Sequence, residues 1–144
     1  MSITLDANVL LYASDRESTY RVRAIDELER HAAGPEQLYL FWPVVMAYIR
    51  ISTHPSVFSR PLALSDAVAN VERLLRRRHV RTPGEEEGFW RVFAEAASEA
   101  TIRGDLVPDT HVVALMRQHG VRTIVTRDRD FRRFDGIKVR DPFR

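Results

Sequence analysis

Short apolar runs alternate along this chain with longer stretches in which apolar residues recur at helical spacing. The short runs predict five strands, at residues 3–5, 37–41, 79–81, 123–125 and 137–139. Between them, helical periodicity and capping signals predict helices at residues 18–33, 44–52, 65–75, 85–103 and 108–119. The chain therefore alternates between strand and helix.

The apolar faces of these helices indicate what each one buries. Val22, Ile25 and Leu28 share one face of the first predicted helix, whose other face is charged. Pro43 suits the first turn of the next helix, and Gly104 and Gly120 are placed to end the last two. Trp42 and Trp90 both lie in apolar segments, and we expect them in the core.

Strands joined by helical crossovers predict a parallel sheet, because a parallel neighbour can be reached only by a long connection. The fold class is therefore α/β, with helices on both faces of the sheet. No internal repeat, low-complexity tract or glycine-serine linker divides the 144 residues. We expect a single domain over residues 1–144.

Composition narrows the class of protein. The chain contains no cysteine, which excludes disulfides, thiolate metal sites and cysteine nucleophiles. Its apolar runs fall short of the ~20 residues that span a bilayer, and Asp6 interrupts the start where a secretory signal would need an apolar stretch. We expect a cytoplasmic protein with no membrane contact.

Positive charge is clustered rather than spread, although the formal net charge is only +2. Two groups of arginines stand out, Arg73, Arg76, Arg77, Arg78 and Arg81 in one and Arg127, Arg129, Arg132 and Arg133 in the other. Each group is either a phosphate-contacting surface or a solvated face. The sequence leaves both interpretations open.

Three aspartates fall where a parallel α/β sheet places its ligand sites. Asp6 and Asp128 follow predicted strands, and Asp109 lies at a predicted helix N-terminus. Taken singly, each has a structural explanation as a turn or capping residue. Carboxylates brought together repel one another unless a cation lies between them. With oxygen ligands only, the expected ion is Mg²⁺, with Mn²⁺ as a substitute, and such an ion favours phosphate chemistry.

Three segments carry a resemblance to a known family, the PIN domains. Residues 5–12 (LDANVLLY) resemble the PIN opening motif, residues 105–115 (DLVPDTHVVAL) the third acidic motif and residues 126–134 (TRDRDFRRF) the closing T-x-D-x-D-F motif. The matching acids are Asp6, Asp109 and Asp128, which the resemblance makes catalytic metal ligands. Residues 50–55 (RISTHP) are similar to a stretch found in VapC-type toxins.

The resemblance implies a PIN-like three-layer α/β/α fold around a parallel sheet of four to five strands. It also implies a Mg²⁺-dependent endoribonuclease that hydrolyses RNA phosphodiesters, the toxin of a type II toxin–antitoxin pair. A cognate VapB-type antitoxin would inhibit it by binding near the acids, and the toxin would form a homodimer. The helices around residues 20–33 and 44–52 are the candidate contact surfaces.

One departure from the family pattern leaves the mechanism open. Most PIN domains carry a glutamate where this chain has Ala47, so one carboxylate of the usual four is missing and the number of metal ions is undetermined. Asp105 or Asp130 are candidates to compensate. The alternative function is a catalytically weakened PIN-like module that binds RNA or protein. Retention of three mutually repelling acids favours the enzyme.

Two other protein families fit the sequence less well. A haloacid dehalogenase phosphatase needs a second acid where Asn8 stands, and a response-regulator receiver needs an acidic pair where Ala7 stands. His111 is the one histidine near the predicted acids, and we interpret it as a helix-surface residue because no pair of histidines has a ligand spacing.

Overall fold

The computed structural model describes residues 1–99 and 103–144. Its strands are β1 (Ser2–Leu5), β2 (Gln37–Tyr39), β3 (Val80–Arg81), β4 (Thr123–Val125) and β5 (Lys138–Arg140). They form one parallel sheet in the order β3-β2-β1-β4-β5. In this register Ile3 of β1 pairs with Leu38 of β2 on one side and with Thr123 of β4 on the other.

Helices connect the strands. They are α1 (Ala7–Ser14), α2 (Arg21–Ala32), α3 (Trp42–Ser52), α4 (Leu64–Leu75), α5 (Phe89–Ser98) and α6 (Val107–Gln118), with short 3₁₀ turns at Gly104–Leu106 and Arg129–Arg133. Helix α1 packs against α2 and α3, and α5 packs against α6. The predicted α/β fold, with helices on both faces of a parallel sheet, is confirmed.

The strand order reverses next to β1, and this reversal positions the site. From β1 the chain moves outward through β2 to β3, then returns across the sheet to place β4 on the other side of β1. The loops that leave β1 and β4 therefore diverge in opposite directions and open a crevice between them. This crevice lies at the carboxyl ends of the strands.

The core holds this arrangement rigid. Leu5, Leu38 and Ile124 of the central strands are fully buried, as are Val9 of α1 and Val113 of α6. Phe131 and Phe134, which follow the β4 loop, are also fully buried. Burial of so large an apolar surface is the main favourable free energy of folding, and here it anchors both sides of the crevice.

Some predictions about individual residues were wrong. Trp90 is 75% exposed and Trp42 38% exposed, so neither is a core residue, and Val22 is 70% exposed on the first turn of α2. The first predicted helix starts later, at Arg21, with the Ser18 hydroxyl accepting a hydrogen bond from the Tyr20 N–H.

Other boundaries agree closely. Gly120 adopts the predicted left-handed conformation after α6, with φ of 68°, and Pro43 lies in the first turn of α3. Strand β5 is displaced by one residue from its prediction. The predicted helix end at Gly104 was wrong, because α5 ends at Ser98 with Glu99 as its C-cap and Gly104 opens the following 3₁₀ turn. Residues 100–102 lie outside the described part of the chain. Within the described residues, every helix is too short or too polar to cross a bilayer.

Candidate metal centre

Asp6 occupies the junction between β1 and α1. Its backbone N–H donates to the Val125 carbonyl of the neighbouring strand (3.0 Å), which fixes the residue against β4. Its carboxylate caps α1 by accepting from the Ala7 N–H (2.8 Å), and its second oxygen accepts from the Thr126 hydroxyl (2.8 Å). Burial raises the pKa of Asp6, and Asp128 adds to that rise, while the two hydrogen bonds oppose it.

Thr126 joins the two loops of the crevice. Its fully buried hydroxyl donates to Asp6 and accepts from the Asp128 N–H (2.9 Å) and from the Asn8 amide (3.1 Å). The Asn8 Oδ1 atom is buried and has no hydrogen-bond partner within residues 1–99 and 103–144. Thr126 therefore sets the positions of two carboxylates that lie 122 residues apart in the chain.

Asp109 approaches from the first turn of α6, directly after Pro108. Its pKa is raised to about 7, first by burial and then by the nearby charges of Asp6, Asp128, Asp130 and Asp105. The structure thus places Asp109 among the acids of the other two loops. Its position at a helix N-terminus provides partial positive charge, which is too little to offset that many neighbouring carboxylates.

Asp128 and Asp130 complete the cluster from the loop after β4. The Asp128 carboxylate accepts a hydrogen bond from the Asp130 N–H (2.9 Å), which shapes the loop. One carboxylate oxygen from each of Asp109, Asp128 and Asp130 lies within 4.8 Å of the others. Asp130 also pairs with Arg133, at 3.5 Å.

The position of the missing family glutamate is visible on α3. Ala47 is half-buried and packs against the core. Of the two acids that could compensate for it, Asp105 is exposed in the 3₁₀ turn before α6, whereas Asp130 brings an oxygen into the carboxylate cluster. The sequence left these two candidates open.

This donor set suits a hard divalent cation. The clustered ligand atoms, from Asp109, Asp128 and Asp130, are all carboxylate oxygens, and Asp6 is not among the three acids of this cluster. Burial and neighbouring acids raise the pKa of Asp109 in the cluster and of Asp6 outside it. A dication would remove both penalties, because it stabilises the ionised form of each acid. Three convergent carboxylates with waters in the remaining positions match the coordination that Mg²⁺ prefers.

The two arginine groups lie at opposite ends of the sheet. Residues 127–133 follow the carboxyl end of β4 and border the acids. The other group runs from Arg73 in the last turn of α4, through the connection that enters the amino end of β3, to Arg81 in β3. There Arg73, Arg76 and Arg77 line a groove of about 800 Å³ between α1, α2, α3 and α4, whose floor includes Leu10, Leu28 and Leu74.

His111 lies on the surface of α6, as predicted. Its imidazole is paired with Glu85 (2.6 Å), and this contact lowers the pKa of that glutamate. Trp90 stacks on Phe93 at a centroid distance of 5.6 Å and is exposed on α5.

A parallel α/β sheet with carboxylates gathered where the strand order reverses is the arrangement of a PIN domain. The PIN domain family matches residues 3–137, and the chain belongs to that family. The family resemblance drawn from the three acidic motifs is confirmed.

Individual relatives show which PIN domains this chain is similar to. The chain is 50% identical over 143 residues to Ribonuclease VapC48 of Mycobacterium tuberculosis, covering 99% of both chains. It is similar in fold to VapBC2 of Rickettsia felis, solved with a DNA fragment from its promoter, with a TM-score of 0.67, 17% identity and 98% coverage of both chains. The Mycobacterium tuberculosis VapC20 toxin, which cleaves the sarcin-ricin loop, also gives a TM-score of 0.67 at 17% identity, covering 94% of this chain and 98% of that one.

Proposed function

We propose that this chain is the toxin of a type II toxin–antitoxin pair and acts as a metal-dependent endoribonuclease. The observation that carries the proposal is the convergence of Asp109, Asp128 and Asp130 on one point, with Asp6 held beside them. The full-length similarity to a VapC ribonuclease supports the same activity. The reaction is hydrolysis of an RNA phosphodiester.

The acids have different roles in the proposed site. Asp6, Asp109 and Asp128 hold the cation as catalytic ligands, and Asp130 contributes the oxygen that Ala47 does not. When bound, the cation supplies positive charge that polarises the phosphodiester and acidifies water. The Thr126 hydroxyl and the Ala7 N–H donate to the Asp6 carboxylate. These two hydrogen bonds fix the orientation of the carboxylate without a bound ligand.

Mg²⁺ is the ion we propose, with Mn²⁺ as a substitute, because all donors in the cluster are hard oxygens. The cluster supports one ion directly. The arginines that border it, including Arg129 and Arg132, would hold the polyanionic RNA across the crevice.

The groove beside α2 and α4 is our proposed docking surface for a VapB-type antitoxin, although its lining includes none of the acids near which the family resemblance places that contact. Its apolar floor includes Ile25 and Leu28 of α2 and Leu74 of α4, and Tyr48 of α3 closes one wall. Its lining holds five arginines against two acids, Glu29 and Asp66, so an acidic amphipathic segment is the complementary partner. The groove involves both helices expected from the sequence to contact a partner.

Self-association is the second proposed contact. Trp42 and Met46 lie one turn apart on α3 and are both exposed, which leaves an apolar face uncovered in the monomer. We place the homodimer contact there. Size-exclusion chromatography with light scattering of Met46→Glu tests it, and a variant as dimeric as wild type would contradict this placement.

The experiment that tests the enzyme activity is cleavage of labelled total tRNA with Mg²⁺, with Mn²⁺ and with chelator. Asp6→Asn should abolish cleavage and keep the fold, whereas Asp26→Asn, a matched change on the exposed face of α2, should cut as wild type does. Unchanged turnover in Asp6→Asn, or full activity in excess chelator, would contradict the proposed metal-dependent cleavage. RNA binding without cleavage in every condition would identify the alternative, a PIN-like binding module.

A further inference from the structure

An aromatic corner lies beside the metal centre, against α1 and α2. Tyr12 of α1, Tyr20 at the start of α2 and Phe143 near the C-terminus pack against one another, with ring centroids 5.0 to 5.3 Å apart. The Arg23 guanidinium donates to the Pro142 carbonyl (2.6 Å) and holds the C-terminal segment in place. The three packed rings therefore form a fixed platform.

Arg127 lies on this platform. Its guanidinium carbon is 4.6 Å from the centroid of the Tyr20 ring, which is the geometry of a cation–π contact. Tyr12 packs against the Tyr20 ring, with the two centroids 5.0 Å apart, and so supports the ring on which the guanidinium rests. The side chain is exposed, so the contact holds its direction while leaving its donors open to solvent.

Arg127 is flanked in the chain by two residues of the Thr126 hydrogen-bond network. It stands between Thr126, whose hydroxyl accepts from the Asp128 N–H, and Asp128 itself. Consecutive Cα atoms are about 3.8 Å apart, so the residue is rigidly connected to the metal centre on its C-terminal side. An arginine fixed at both ends next to a phosphate-cleaving site is preorganised for an anion.

No carboxylate within residues 1–99 and 103–144 forms a salt bridge with Arg127. Arg133 of the same loop is paired with Asp130, whereas Arg129 and Arg132 form no salt bridge within these residues either, so what distinguishes Arg127 is its contact with the Tyr20 ring. A guanidinium stacked on an aromatic ring keeps its in-plane N–H donors, which match the oxygens of a phosphate. These free donors suit an anion that offers two adjacent oxygens, as a phosphate of RNA does.

We propose that Arg127, stacked on Tyr20, is a substrate-positioning residue that binds an RNA phosphate next to the one that is cleaved. This inference rests on the proposed ribonuclease activity and names a contact of that same site. Tyr20 acts through Arg127 by fixing the direction of the guanidinium. The pair sets where the chain of the RNA enters the crevice.

The test compares Arg127→Ala with Arg122→Ala, an exposed arginine at the opposite end of β4. RNA binding is measured in chelator at several salt concentrations, and cleavage kinetics are measured with Mg²⁺. Arg127→Ala should raise KM by about tenfold, as expected for loss of a charge-assisted hydrogen bond, with kcat nearly unchanged. Its log–log salt slope for single-stranded RNA should fall by about 0.7, the value for one phosphate. Arg122→Ala should match wild type in both.

A second pair separates positioning from folding. Tyr20→Leu removes the ring and should reproduce the KM increase in part, whereas Tyr20→Phe keeps the ring and should restore the wild-type KM. A wild-type KM and salt slope in Arg127→Ala would overturn the inference. So would a variant that loses affinity only for a VapB-type antitoxin, which would make the corner a protein contact. The wild-type cleavage assay judges the ribonuclease activity separately from these comparisons.

Discussion

At the scale of single residues, one hydroxyl organises the metal centre. The Thr126 oxygen is bonded to Asp6, Asn8 and the backbone of Asp128 at once, which uses its donor and both of its acceptor positions. The Thr126 side chain is fully buried and its partners are half-buried, so these contacts are partly shielded from water and constrain the geometry of the site. Loss of the hydroxyl would free two of the acids at the same time.

Thr126→Val tests this role, because it keeps the shape of the side chain and removes the hydroxyl. We expect RNA cleavage to fall by about 10- to 100-fold, the usual effect of losing a group that orients a metal ligand. The buried donors left without a partner should also lower the free energy of unfolding by about 1 to 3 kcal/mol. Steady-state kinetics and urea denaturation measure the two effects.

Thr126→Ser is the matched control, since it keeps the hydroxyl. It should retain most of the activity. Activity in Thr126→Val equal to that of the serine variant would contradict the assignment.

Asp109 gives a prediction about pH for the metal-free protein. Its pKa is about 7 in the folded state against an ordinary value of 3.8, so between these limits the folded chain binds the proton more tightly than the unfolded chain does. Stability should therefore fall as pH rises from 4 towards 7 and stay low above it. Asp109→Asn removes the ionisable group and should flatten this part of the profile.

Thermal unfolding in chelator between pH 4 and pH 8 measures the effect. The melting temperature of Asp109→Asn should exceed that of wild type by the largest margin at pH 8. Added Mg²⁺ should narrow the margin by stabilising wild type, because the cation favours ionised carboxylates. Parallel profiles of the two proteins in chelator would rule out the raised pKa.

The sequence identified the acids of the site but not the residues that hold those acids in position. Asp6, Asp109 and Asp128 were identified because a carboxylate after a strand or at a helix start has a recognisable local pattern, although their role as ligands stays a prediction. Asp130 was left open because spacing alone cannot tell which loop acid turns inward. The role of Thr126 could not be predicted, since its partner Asp6 lies 120 residues away in the chain.

At the scale of elements, the two arginine groups occupy separate places, and we propose a separate role for each. The group after β4 borders the acids, whereas the group on α4 lines the apolar groove at the other end of the sheet. The sequence could not distinguish them, because both are runs of arginine next to helical segments. The strand directions are what place the two groups at different positions in the fold.

Arg132→Ala and Arg76→Ala test this division. Both side chains are exposed, so neither change should unfold the protein. Arg132→Ala should weaken RNA binding and lower its log–log salt slope by about 0.7, while Arg76→Ala should leave both unchanged. Fluorescence anisotropy with a labelled RNA, repeated across salt concentrations, gives the slopes. An unaltered slope in Arg132→Ala would remove that arginine from the RNA surface.

The helices show where periodicity succeeds and where it fails. Helices α3, α4 and α6 were predicted to within a few residues, because each has capping signals and one apolar face. Helix α1 was not predicted, since it is surrounded by α2 and α3 and its apolar positions do not alternate with polar ones. Val22 and Trp90 are apolar residues on exposed helix turns, which periodicity alone places in the core.

At the scale of the whole molecule, the reversal of strand order explains why the site lies where it does. The sheet places β1 and β4 side by side, so acids from two ends of the sequence meet at one edge, and α6 brings the third from across the sheet. The alternation of strands and helices predicts a parallel sheet, but it does not predict where the strand order reverses. The order of the strands required the structure, because several orders satisfy the same alternation.

The account depends most directly on whether these acids hold a divalent cation. Titration of Mn²⁺ into the purified protein, followed by the paramagnetic resonance signal of the free ion, measures this without any RNA. We predict a saturable site in wild type that Mg²⁺ displaces, that Asp26→Asn retains and that Asp128→Asn loses or weakens by at least tenfold, as removal of a ligand requires. No saturable binding in wild type, or equal affinity in wild type and Asp128→Asn, would contradict the account.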